Sequence, residues 1–149
     1  MRSIEVGTDP VMRERIKKLR ARMEQNGIDA AFIFQNKDLY YFSGTTQNCV
    51  LVVTADNAIL FIMRNVERAT RETSVEHTVT MKSTSEIKNL VSAKKIGIEE
   101  DILPVSMYRR LIQMFPSAEF FDISHAVREI RAVKDEDEIK LLKRSARIN

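Results

Sequence analysis

Between Gly27 and the polar residues 35–38 lies Ala30-Ala31-Phe32-Ile33-Phe34, a short run without one polar side chain. A strand with one wet face alternates apolar and polar residues. A continuous apolar run bounded by turn signals needs cover on both faces. Residues 30–34 are therefore predicted to form a buried central strand, against which the preceding helix and the following strands would pack. Leu39-Tyr40-Tyr41-Phe42 then predicts one helical turn, closed by Ser43 and Gly44.

The flanking sequence supplies that cover. Thr8-Asp9-Pro10 is a helix start, because Asp9 can cap and Pro10 lacks an N–H that the first turn leaves unused. Met12, Ile16, Leu19 and Met23 recur at helical spacing with Arg and Lys between them, one stripe laid on a core. Gly27 offers a left-handed stop. Residues 49–54 and 58–63 are apolar and flank the turn Ala55-Asp56-Asn57, which predicts an antiparallel hairpin. Residues 65–72 suit a helix with Val66 and Ala69 inward, and residues 77–81 a short edge strand. Ser83-Thr84-Ser85-Glu86 opens a further helix carrying Ile87, Leu90 and Val91 inward. A strand at 95–99, a helix at 106–115 with Leu111, Ile112 and Phe115 apolar, a strand at 118–122 and a helix at 123–133 complete the pattern. Strands alternating with helices imply parallel pairing, and the hairpin adds an antiparallel part. The expected fold is α/β: a mixed sheet with helices on both faces.

The last stretch marks a boundary. Asp135 is placed to cap a new helix and Glu138 to reach back to it, while Ile139, Leu142 and Ala146 continue a helical stripe. Asn149 closes the sequence without a glycine, a proline or a polar tail. Residues 1–133 are expected to form one domain, and residues 134–149 a linker helix leading to another domain.

Composition narrows the functional classes. At 149 residues the chain is one domain with room for a proper core. No apolar run approaches the ~20 residues of a membrane helix. Met1-Arg2-Ser3-Ile4-Glu5 lacks the apolar centre of a signal peptide. The single cysteine, Cys49, cannot form an internal disulfide, so the cytoplasm is the expected compartment. Basic and acidic residues number 24 and 21 and are interspersed, which argues against nucleic acid because its binders gather basic groups into a patch.

No complete catalytic set is legible. Asp135-Glu136-Asp137-Glu138 is the densest acidic cluster, but consecutive helical residues point apart and cannot converge on one ion. The helix dipole favours acidic residues at that start. His77 and His125 form no zinc-binding pattern, and a capping or surface role suffices for His125. Cys49 reads as a small apolar strand residue. Ser43-Gly44 is no nucleophile elbow, and the four glycines are too dispersed for a phosphate loop. Glu99-Glu100-Asp101 lies at a strand end, where α/β folds often bind ligands, and reads here as a charged turn.

Several motifs, in order, resemble the N-terminal domain of the creatinase/prolidase/aminopeptidase P family. They are Gly27-Ile28-Asp29-Ala30, Asn36 with Leu39-Tyr40-Tyr41-Phe42-Ser43-Gly44, Ile96-Gly97-Ile98-Glu99, Phe121-Asp122-Ile123-Ser124, and Ile130-Arg131-Ala132-Val133-Lys134 with Glu138-Ile139. Arg64-Asn65-Val66-Glu67-Arg68-Ala69 looks like the peptidase branch, without the Asp-containing strand end of many prolidases. The resemblance implies a ribonuclease H-like sheet and a non-catalytic role. It also implies a pita-bread catalytic domain further along the parent chain, where a pair of divalent metals (Mn, Co or Zn) activates water to cleave a bond before proline. Further implications are a homodimer, a peptide substrate and a domain that shapes access to the partner subunit's active site. The loop Gly44, Thr45, Thr46, Gln47 and Asn48 would face that entrance, its small polar residues able to bond a peptide backbone. No cofactor, membrane or nucleic acid is expected for this segment itself. The alternatives are a stand-alone interaction or ligand-binding module, a creatinase-like C–N hydrolase parent, and a ribonuclease H-like nuclease. The last needs carboxylates on the central strand, and residues 30–34 carry none.

Overall fold

The computed structural model describes residues 9–133 and 136–148. Its helix α1, Pro10–Gln25, starts as its sequence dictates, with Asp9 accepting from the N–H of Val11. Ile16, Leu19 and Met23 are buried. Asn26 closes the helix and Gly27 follows at φ 68°, turning the chain into β1, Ala30–Ile33.

All four residues of β1 are buried. The strand is central in a six-stranded sheet ordered β4-β3-β2-β1-β5-β6. It pairs antiparallel with β2, Cys49–Thr54, and parallel with β5, Lys95–Ile98. The hairpin of β2 and β3, Ala58–Ile62, forms as predicted. Edge strand β4, His77–Thr80, runs parallel to β3, and β6, Glu119–Asp122, parallel to β5. Only β2 therefore opposes the other strands of this sheet.

Period-two alternation divides the core. Ala31 and Ile33 face one cluster with the stripe of α1 and with helices α2, Asn36–Ser43, and α5, Ser124–Ala132. Ala30 and Phe32 face the other, with Ile87, with Leu111 of α4, Val105–Met114, and with Phe115, which follows that helix. Helix α3, Val66–Glu72, buries Ala69 on the first side, with Val66 packed beside it. Helix α6 spans Glu136–Ile148.

Two local expectations are corrected. The single turn predicted over residues 39–42 is an eight-residue helix: the Gln35 side chain accepts from the N–H of Asp38 at 3.0 Å, so the polar break is a helix cap. The helix predicted after Ser83 is a 3₁₀ turn, Thr84–Asn89, with its capping box present. Because it ends at Asn89, the α-helical period is not sustained, and Leu90 lies 58% exposed while Ile87 and Val91 are buried. In α4 Leu111 is buried, while its apolar neighbour Ile112 is 41% exposed. The predicted cap at Asp135 lies outside the described residues, as do the side chains of Glu136, Asp137 and Glu138 that complete the acidic cluster and its expected bond. On α6, the stripe residues Ile139, Leu142 and Ala146 are exposed.

Candidate functional site

Helix α2 leaves β1 on the side of β2, whereas the chain leaves β5 toward β6. This divergence creates a switch point outside the carboxyl ends of β1 and β5, where open α/β sheets form binding crevices. A cleft of about 520 Å3 lies there, lined by Phe32, Phe34, Asn48, Met63, Met107 and Arg110 among others. Asn48 belongs to the loop expected to guard a substrate entrance.

The loop is held firmly. Gly44 closes α2 at φ 87°, its N–H donating to the Tyr40 carbonyl at 2.9 Å. A Cβ there would also lie 3.0 Å from the Glu72 carbonyl oxygen, so a larger residue suffers both strain and a clash. Thr45 is buried and donates to Glu72 Oε1 at 2.8 Å. Thr46 and Asn48 are exposed, with Gln47 half-buried between them. Asn48 has φ 49° and Asn65 φ 54°, left-handed conformations uncommon for any residue but glycine. The two segments meet through Asn65 Nδ2, which donates to Gln47 Oε1 at 3.2 Å. The expected loop therefore forms one shaped rim with the segment after β3, where Arg64 is exposed.

A second cluster ties α2 to α1 and α5. Two guanidinium groups approach the Tyr41 ring, Arg15 at 4.1 Å from its centre and Arg131 at 5.9 Å. Arg131 Nη1 also donates to Asp38 Oδ1 at 2.9 Å, joining α5 to α2. The Asp38 carboxylate also acts on Glu99, disfavouring its charged form. Glu99 is 5% exposed, and its Oε1 has no partner among the described residues. Burial, then the Asp38 hydrogen bond and charge, push the Glu99 carboxyl up to about 9, so at neutral pH it carries its proton.

This corrects the reading of residues 99–101 as one charged turn. Glu100 and Asp101 are exposed there, and Asp101 pairs with Arg128, but Glu99 points inward. The signal was present in the alternation of β5. Ile96 and Ile98 serve one covered face, so Gly97 and Glu99 must serve the other.

The remaining candidates are structural. Cys49 is buried, and desolvation raises its thiol to about 11, which leaves little thiolate. His125 is exposed and pairs with Glu129 one turn along at 3.2 Å. Among the described residues, no three His, Cys, Asp or Glu side chains are grouped to hold a metal ion. No described helix is long and apolar enough to cross a membrane.

Comparison with known proteins agrees with this architecture. The creatinase/prolidase N-terminal domain family matches residues 15–133. An Xaa-Pro dipeptidase of Pyrococcus horikoshii is 29% identical over 141 residues, covering 93% of this chain and 40% of its own length. The crystal structure of the prolidase from that organism superposes with a TM-score of 0.80 at 29% identity, over 91% of this chain and 40% of that one. A creatinase from a Bacillus species is 26% identical over 154 residues, 92% of this chain and 37% of its own. This chain thus spans about 40% of the length of the curated dipeptidases it matches.

Proposed function

Because the chain belongs to the creatinase/prolidase N-terminal domain family, we propose that it serves as the non-catalytic N-terminal domain of a metal-dependent Xaa-Pro peptidase. The full protein carries a pita-bread catalytic domain beyond this segment, holds a pair of divalent metals (Mn, Co or Zn) there, and acts as a cytoplasmic homodimer. Residues 1–133 form the domain, and residues 134–149 the linker. Residues 44–48 line the path by which a peptide reaches the partner subunit's active site.

The relation to dipeptidases of which this chain spans 40% supports the division of labour. The observation that carries the access role is the loop itself: Thr45 is buried and pinned, while Thr46 and Asn48 face outward. Such a loop can offer polar contacts to a peptide backbone at low entropic cost. The creatinase relative favours one second reading, a parent that hydrolyses a C–N bond in a creatine-like substrate.

The isolated chain is expected to show no turnover of Xaa-Pro dipeptides or longer Xaa-Pro peptides with manganese, cobalt or zinc added. Activity that follows the purified chain through successive columns would overturn the assignment.

A further inference from the structure

The end of α3 ties down several residues of the rim at once. Glu72 Oε1 accepts from Thr45 Oγ1 at 2.8 Å and from Gln47 Nε2 at 3.5 Å. Its other oxygen, Oε2, accepts from Arg68 Nε at 2.9 Å. Gln47 passes the connection on to Asn65 through its own side-chain oxygen. The next residue, Thr73, donates from Oγ1 to the Ser43 carbonyl at 2.7 Å, and the N–H of Ser74 donates to the same oxygen at 2.9 Å. The loop between α2 and β2 thus takes its shape from a neighbouring helix end.

A carboxylate suits this task. It accepts several bonds at once, and charge-assisted bonds are the stronger ones. The Thr45 hydroxyl, followed by Arg68, holds the Glu72 carboxyl below its ordinary range, so the acceptor form persists at neutral pH. Left-handed Asn65 bonds the Gln47 side chain and left-handed Asn48 follows Gln47 in the chain, a placement expected where a scaffold fixes a functional conformation.

We propose that Glu72 is a positioning residue of the access loop: its carboxylate holds Thr45 and Gln47 against α3, so that Thr46 and Asn48 meet an incoming peptide in one fixed geometry. The proposal rests on the access reading of residues 44–48. Loss of the carboxylate frees the loop without removing any group that touches the peptide.

Two experiments test it. In amide hydrogen exchange on the 149-residue chain, Glu72→Ala is expected to speed exchange at residues 44–48 about tenfold, the loss of a bond to a charged group. Thr45→Val should reproduce that effect, while Glu72→Gln, which keeps an oxygen for Thr45, should stay within about threefold of wild type. Arg68→Ala, which touches only the other oxygen, should leave residues 44–48 near wild type. Wild-type exchange at these residues in Glu72→Ala, or acceleration spread evenly over β1 and β2, would overturn the proposal.

In a full-length chain carrying this domain, Glu72→Ala should raise KM for an Xaa-Pro tripeptide several-fold with kcat little changed, and Glu72→Gln should restore it. If Thr46→Trp alters those kinetics and Glu72→Ala does not, the positioning role fails while the access reading stands. If neither variant alters them, the access reading fails and the positioning role with it.

Discussion

Phe32→Asp should leave the domain unfolded at room temperature. Phe32 is fully buried in β1, hydrogen-bonded between β2 and β5, and packs edge-on against Phe115 with ring centres 5.7 Å apart. Removing a buried phenyl ring costs about 3–5 kcal/mol, and leaving an unpaired charge in its place costs several more. Domains of this size have only about 5–15 kcal/mol of stability in total. Aspartate would meet Val52, Phe61 and Ile96 in that cluster, none of which can bond it. Circular dichroism during heating checks this, with Phe32→Leu as the control that keeps an apolar side chain. A cooperative transition near the wild-type temperature in Phe32→Asp would show that the site is not a closed core.

The second large effect concerns Glu99 and alkaline pH. Burial, followed by the Asp38 bond and charge and the Asp101 charge, raises its carboxyl to about 9, and Arg131 offsets part of this. The folded chain therefore holds this proton more tightly than the unfolded chain. The resulting stability is complete below the ordinary carboxyl range, declines as pH rises toward 9, and levels off above it. One proton gives a slope of up to ~1.4 kcal/mol per pH unit in that window. Glu72, Asp101, Asp122 and Glu129 have lowered values instead, so their contributions are present above the unfolded range and vanish only in acid. Urea unfolding between about pH 5.5 and 8 isolates Glu99 from those groups and from Cys49, whose raised thiol weakens the fold only at higher pH. Wild type should weaken steadily across that range. Glu99→Gln, neutral and of the same shape, should have a much flatter profile. Parallel profiles would mean that Glu99 ionises at no cost and that the Asp38 contact does not hold a proton.

How far the sequence revealed this molecule depended on the range of the interactions. Residues 30–34 announced a strand covered on both faces, because a run with no polar residue has no wet side to offer. The hairpin and α1 were equally plain, since their turn and cap residues lie next to the elements they bound. Helix α2 was underestimated because Gln35 resembles a loop residue until its side chain is seen to cap the helix. The family resemblance directed attention to residues 44–48, yet nothing local to that loop names Glu72 and Asn65 as its supports. The Asp38–Glu99–Arg131 cluster was hidden for the same reason. Its members come from α2, the end of β5 and α5, and only the packed sheet brings them together.

The central claim is that residues 44–48 form part of a substrate path. The direct measurement is steady-state kinetics of Thr46→Trp and Gln47→Ala in the full-length chain, on an Xaa-Pro dipeptide and on a tripeptide. Thr46 is exposed, so a Trp there can be housed without disturbing the core, and melting temperature should hardly change. Gln47→Ala removes a bridge between Glu72 and Asn65 and should loosen the rim. The account predicts that Thr46→Trp lowers kcat/KM for the tripeptide several-fold more than for the dipeptide, because the longer peptide must occupy the narrowed entrance. Wild-type kinetics on both substrates in both variants would contradict it and leave the loop as a connector.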